Sequence, residues 1–158
     1  MSYNTDNYQA QGGSEWVVGG TLTLNGTLAV ANGAVVSGLP RVTKVALAAG
    51  TAAGGVLSWA NPAGASIIVH NIAIDITTQS TGASTIDVGV AANGTTSSDT
   101  LIDGVSGATA GVFNSATNAG TNGRMSRKVA STEFVTASQA SGTVTGLAGS
   151  AYITWSLA

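Results

Sequence analysis

The chain has no cysteine among its 158 residues, which excludes disulfides, thiolate chemistry and sulfur-ligated metals. Charge is nearly as scarce. Asp, Glu, Lys and Arg make up 8% of the residues, against roughly 25% in ordinary soluble domains. Five basic residues and a net charge of −2 leave no electrostatic footprint for nucleic acid. Arg124, Arg127 and Lys128 form one small basic group. It reads better as a solvated strand edge or turn than as a phosphate site, because three charges alone bind weakly. No apolar run approaches the length of a membrane span, so no membrane partner is expected. The opening MSYNTDNYQAQGGSEW has neither the basic start nor the apolar centre of a signal peptide, and synthesis in a cytoplasm is the expectation. Sustained helical periodicity is missing too. The Ala-rich stretch VALAAGTAAGGVLSW is broken by Gly50, Gly54 and Gly55.

What remains is β writing. Disordered chains combine few apolar residues with high charge, whereas 44% of this chain is hydrophobic and its Val, Ile and Leu alternate. With so little charge, the polar surface must consist mainly of hydroxyls and amides. Such a surface is insensitive to salt and pH, and it suits a chain packed against neighbours.

Residues 1–15 read as an irregular polar arm carrying Tyr3 and Tyr8, with Trp16 just beyond and Gly12-Gly13 as a joint. Such an arm either docks on another subunit or folds back on its own domain. From Gly20 the text becomes GTLTLN, GTLAVAN, GAVVSG, with Leu22, Leu24, Leu28, Val30 and Val35 at alternating positions. Asn25-Gly26 and Asn32-Gly33 are tight-turn signals, since both central residues of such a turn take positive φ. Couplets this short cannot bury a core alone. They complete one by stacking or by wrapping identical chains about an axis. A trimeric β-prism or spiral is the expectation, and a meander lying on the main domain is the alternative. Gly38-Leu39-Pro40 ends the repeat, because proline offers no donor for continued pairing. Two parts follow: 1–40, arm and trimerising repeat, and 41–158, a displayed domain.

Beyond residue 41 the strands have ordinary length. SIIVHNIAIDITT is expected to put Ile68, His70, Ile72, Ile74 and Ile76 on one face, and Val69, Asn71, Ala73, Asp75 and Thr77 on the other. In STIDVGVAA, Ile86, Val88 and Val90 turn inward; in SAYITWSLA, Ala151, Ile153, Trp155 and Leu157 do so. KVASTEFVTAS and SGTVTGL read as two further strands. Strands separated by Gly, Asn and Ser turns predict an antiparallel β-sandwich, jelly-roll-like. Residues 103–123 form the longest turn-rich passage. A loop of that length normally has a task, and Val112 and Phe113 in its middle are expected to anchor it or to touch a neighbour.

Catalytic constellations are thin. His70, the only histidine, is expected to be buried and hydrogen-bonded rather than a base or ligand. One histidine without cysteine leaves too few ligands for zinc. Asp75, Asp87, Asp99 and Asp103 invite a calcium reading, but DTLID lacks the alternating oxygen ligands and closing glutamate of an EF-hand. Turn-capping aspartates are the better account. A carboxylate pair for glycoside hydrolysis stays open, with only Glu15 and Glu133 beside the aspartates. GVSGATAG lacks the Lys-Ser/Thr ending of a phosphate loop, and no nucleophile elbow is present. Asn25-Gly26-Thr27 and Asn93-Gly94-Thr95 match the glycosylation pattern, yet Asn-Gly turns explain them. No catalytic centre, metal or cofactor is read from this sequence.

NYQAQGG, VVGGTLTL and ANGAVVSGLP, within residues 7–40, resemble the N-terminal segment of head fibre and head decoration proteins of tailed bacteriophages. The likeness consists of a Tyr-x-x-Gln-Gly-Gly arm, a Gly-Gly-Thr-Leu strand start and a Val-x-Gly-Leu-Pro exit, over about a quarter of the chain. Where head fibres often continue as a long fibre, this chain runs into STIDVGVAANGTTSSDTLIDGVSGATAGVF, which looks like a compact β domain of phage virion proteins. The resemblance implies a non-enzymatic homotrimer on the outer face of a capsid, with the major capsid protein as partner. Tyr3, Tyr8, Gln11, Gly12, Gly13 and Trp16 would then contact the shell. Leu22, Leu24, Leu28, Val30 and Val35 would line the trimer axis. The alternative is a receptor- or glycan-binding module of a tail fibre or adhesin, for which Tyr152 is the one evident aromatic platform in the β domain.

Overall fold

The computed structural model describes residues 7–9, 16–18 and 40–158, and the chain divides into two units, Met1–Val36 and Ser37–Ala158. In the first unit, β1 (Asn7–Gln9) runs antiparallel to β2 (Trp16–Val18), with Tyr8 opposite Val17 and Gln9 opposite Trp16. The expected irregular arm therefore contains one strand, paired with the segment just beyond it. Its aromatic and branched residues favour that outcome.

The second unit is all-β among the described residues. Its strands are β3 (Arg41–Leu47), β4 (Leu57–Ala60), β5 (Ile67–Thr78), β6 (Ser84–Ala91), β7 (Ile102–Ser106), β8 (Gly111–Asn114), β9 (Arg127–Val129), β10 (Phe134–Gly142) and β11 (Ala148–Leu157). They form two antiparallel sheets. One has the order β4-β10-β6-β7; the other has β3-β11-β5-β8, with β9 also on β5. β8 pairs with Ala73–Ile76 and β9 with Ile67–Val69, so the two act as halves of one interrupted strand. The pairings then nest: β6 with β7, β5 with β8 and β9, β4 with β10, β3 with β11. This is one long hairpin rolled over, and β6·β10 and β5·β11 knit the roll into two sheets.

The sheets share one apolar core. Ile67, Ile72, Ile74 and Ile153 come from the larger sheet, and Ile86, Val88, Val135 and Ala137 from the smaller; all are fully buried. Each isoleucine contributes roughly 1.5–3 kcal/mol by burial. The alternation expected of β11 holds, with Ala151, Ile153 and Trp155 buried and Leu157 packed against the core. In β6, Ile86 and Val88 are buried and Val90 is half-buried against the same core.

β5 departs from expectation. Ile67 and Val69 are buried, Ile68 and His70 are half-buried, and burial resumes at Ile72. The register against β11 slips between Thr154, opposite Asn71, and Trp155, opposite Val69. One extra residue at His70 bulges the strand and reverses its facing. His70 is therefore not on the inner isoleucine face.

Three further expectations give way. KVASTEFVTAS divides into β9 and β10, because residues 131–132 form a turn. SGTVTGL is the end of β10 followed by a turn. Passage 103–123 holds most of β7 and all of β8. Phe113 anchors it on the core, while Val112 stays 64% exposed.

Polar burial is matched by bonding, and no buried side-chain polar atom among the described residues lacks a partner. Asn61 shows how. Its Nδ2 donates to the Ala65, Val129 and Ala130 carbonyls, and its Oδ1 accepts from the Ala63 N–H at 2.9 Å. One side chain thus ties the turn after β4 to the end of β9.

Candidate functional site

The solvent face of the larger sheet carries the densest set of groups able to meet a ligand. Register sets them in rows. Lys44 on β3, Tyr152 on β11, Ala73 on β5 and Asn114 on β8 lie side by side. Val42, Thr154 and Asn71 form the row on one side; Ala46, Ser150, Asp75 and Val112 form the row on the other. Strands lie about 4.8 Å apart, so these side chains are near neighbours of the half-buried Tyr152 ring. The Lys44 Nζ sits 5.6 Å from that ring's centre, within cation–π range. The face carries an aromatic plane, hydroxyls, one ammonium, one carboxylate and two carboxamides whose oxygens already accept internal hydrogen bonds.

At the end of this face the bulge aims His70 at β11, and its Nε2 lies 2.9 Å from the Ser156 Oγ. That is the separation of a nucleophile and its base. However, no acid orients the other ring nitrogen among the described residues, so the pair binds strand to strand. The bulge also turns Asn71 toward Ser115, whose fully buried Oγ lies 2.9 Å from the Asn71 Oδ1 and 2.9 Å from the Met125 carbonyl oxygen. The same oxygen accepts the Ile72 N–H at 3.1 Å. Ser115 stands where β8 has ended and β9 has not begun, and it supplies the ladder bond that neither strand makes.

Trp155 closes one end of the core. Its indole N–H donates to the Thr43 Oγ1 at 3.0 Å, the Arg41 guanidinium lies 5.2 Å from its ring centre, and Trp59 meets it at 6.1 Å with the rings tilted by 55°. Elsewhere, Asp87 lies within electrostatic reach of Asp99 and Asp103. Burial holds the Asp87 carboxyl above the usual range; the Gly104 backbone N–H opposes this, and the Asp103 and Asp99 charges add to the rise. Asn122 bridges the group, giving its Nδ2 to Asp99 at 2.9 Å and its backbone N–H to Asp103 at 3.1 Å. Asp99 and Asp103 thus hold the turn at Asn122, whereas Asp75 lies within β5 and Asp87 within β6. Among the described residues no three His, Asp or Glu side chains stand close enough to hold a metal ion.

Of the residues expected to meet a capsid, Tyr8 lies on β1 and Trp16 on β2. Tyr3, Gln11, Gly12 and Gly13 lie outside the described residues, as do Leu22, Leu24, Leu28, Val30 and Val35 of the expected trimer axis. Tyr152 was legible as an outward aromatic. Lys44, Asn71 and Asn114 were not, because only the register of four strands brings them beside it. No family model, no curated protein and no solved structure matches the chain.

Proposed function

We propose that the chain is a structural virion protein: it attaches to the outer surface of a phage capsid as a homotrimer and holds its β-sandwich outward. The observation carrying this reading is the nested strand order. With β8 and β9 counted as one strand, eight positions fall into two sheets of four, which supports a jelly roll. That architecture recurs in viral capsid and lectin domains. A fold is shared by many functions, and the resemblance of residues 7–40 to phage head proteins is the second support for this one. In this reading the arm, including Tyr8 and Trp16, engages the major capsid protein, and Leu22 to Val35 form the threefold contact. Three arms on a repeating lattice then bind with avidity.

The test is co-sedimentation of the full chain with decoration-stripped capsids, together with its mass by light scattering. A trimer that co-sediments, and that loses capsid binding on joint Tyr8→Ala and Trp16→Ala substitution, is the expected result. A monomer that ignores capsids overturns the proposal.

One observation favours a second reading, glycan binding: the Tyr152 ring amid Lys44, Asn71, Thr154 and Asn114. Sugars stack on aromatic planes while amides and hydroxyls fix their orientation. This reading expects glycan-array hits that Tyr152→Ala abolishes; an array without hits rejects it.

A further inference from the structure

Two Asn-Gly pairs lie among the described residues, Asn93-Gly94 and Asn122-Gly123. Such pairs are prone to one reaction without any enzyme. The glycine nitrogen attacks the asparagine Cγ, a developing oxyanion forms on Oδ1, and the side-chain nitrogen leaves as ammonia. The fold gives the two asparagine side chains opposite hydrogen-bond partners.

Asn93 is exposed, and its Oδ1 already accepts three hydrogen bonds: from the Thr95 N–H at 3.0 Å, the Thr95 Oγ1 at 3.0 Å and the Thr96 Oγ1 at 2.8 Å. The first closes an Asx turn that spans Gly94. Together the three donors surround the atom on which negative charge grows, the arrangement that stabilises oxyanions in acyl chemistry. The Gly94 N–H makes no hydrogen bond among the described residues. The loop itself is held still, since the Thr96 carbonyl accepts from the buried Thr136 hydroxyl at 2.8 Å.

Asn122 has the reverse setting. Its Nδ2 donates to the Asp99 carboxylate, its own N–H is held by Asp103, and no donor meets its Oδ1 among the described residues. Negative neighbours oppose an oxyanion there. Gly123 is buried beside the Ala119 and Leu101 carbonyls, and Gly94 is half-buried beside Ser58 and Phe134, so the two sites differ chiefly in what meets the asparagine oxygen.

We propose that Asn93 is a self-modification site at which the fold accelerates succinimide formation, with Thr95 and Thr96 as oxyanion donors, and that Asn122 is a site at which the fold suppresses it. The Gly94 nitrogen forms a bond to Cγ and gives its proton to a water-borne base. The bond from Cγ to Nδ2 breaks, and Nδ2 takes a proton and departs as ammonia. Water then opens the ring at either carbonyl, leaving aspartate or isoaspartate. The sum is asparagine plus water giving acid plus ammonia, with no oxidant or cofactor.

The experiment incubates the full native chain at mildly alkaline pH below its melting range and follows each site by site-localised mass spectrometry. The readout is the mass gained when ammonia leaves and water enters. Asn93 converts several-fold faster than Asn122, and in denaturant the two rates converge. Thr95→Val and Thr96→Val each slow Asn93 roughly fivefold, the worth of one exposed hydrogen bond, and leave Asn122 unchanged. Both threonines are exposed, and unaltered urea midpoints certify the variants as folded. Equal native rates at the two sites, or threonine variants that convert as fast as or faster than the parent, overturn the proposal.

Discussion

Single residues in this domain divide by how completely their polar atoms are satisfied. Asn61 uses its whole carboxamide and is content at 8% exposure. Asp87 is not content, because burial costs its charge more than the Gly104 N–H returns. A carboxyl whose folded pKa is raised binds its proton more tightly in the native state, so stability falls as pH climbs from the ordinary aspartate value, about 3.9, through the raised one. Asp87→Asn keeps an acceptor for Gly104 and removes the penalty. Urea midpoints should rise on this substitution at neutral pH, with the gain vanishing at about pH 3, where the parent carboxyl is neutral in both states. A gain independent of pH would contradict the assignment.

At the scale of elements, the bulge in β5 does the most to shape the domain. It reverses the strand's facing after Val69, turns His70 toward Ser156, and leaves a gap that Ser115 fills between β8 and β9. Ser115→Ala strands the Ile72 N–H in the core at a cost of about 1–3 kcal/mol. Faster amide hydrogen exchange at Ile72 than in the parent, with a lowered urea midpoint, is the expected signature. Here the limits of the sequence are physical. β11 and most of β6 were legible because one face is buried along their length and alternation records it. SIIVHNIAIDITT contains two apolar phases, Ile67 and Val69, then Ile72, Ile74 and Ile76, with polar His70-Asn71 at the change. Reading it as one phase put His70 inside. β7 and β8 are only five and four residues long, too short for alternation to register, so their pairing comes from partners distant in sequence, which periodicity does not encode.

For the whole second unit, the same limit applies to topology. Turn residues announced many strands, and the nested pairing depends on contacts between its two extremes. Because the core among the described residues, from Val45 to Leu157, lies within this unit, the excised segment 37–158 should unfold in one cooperative transition in urea. A broad, probe-dependent transition would show that the core needs the first unit. Nesting also delays closure, since the outer pairs must find one another across almost the full segment. Refolding on the slow side for its length is the corollary.

The outermost pair has a mechanical consequence. Arg41, where β3 begins, lies beside Trp155, near where β11 finishes, and seven residue pairs bind the two strands from there to Leu47 and Gly149. A pull on those adjacent tips meets the rungs in succession, so the ladder peels like a zip at low force instead of resisting in shear.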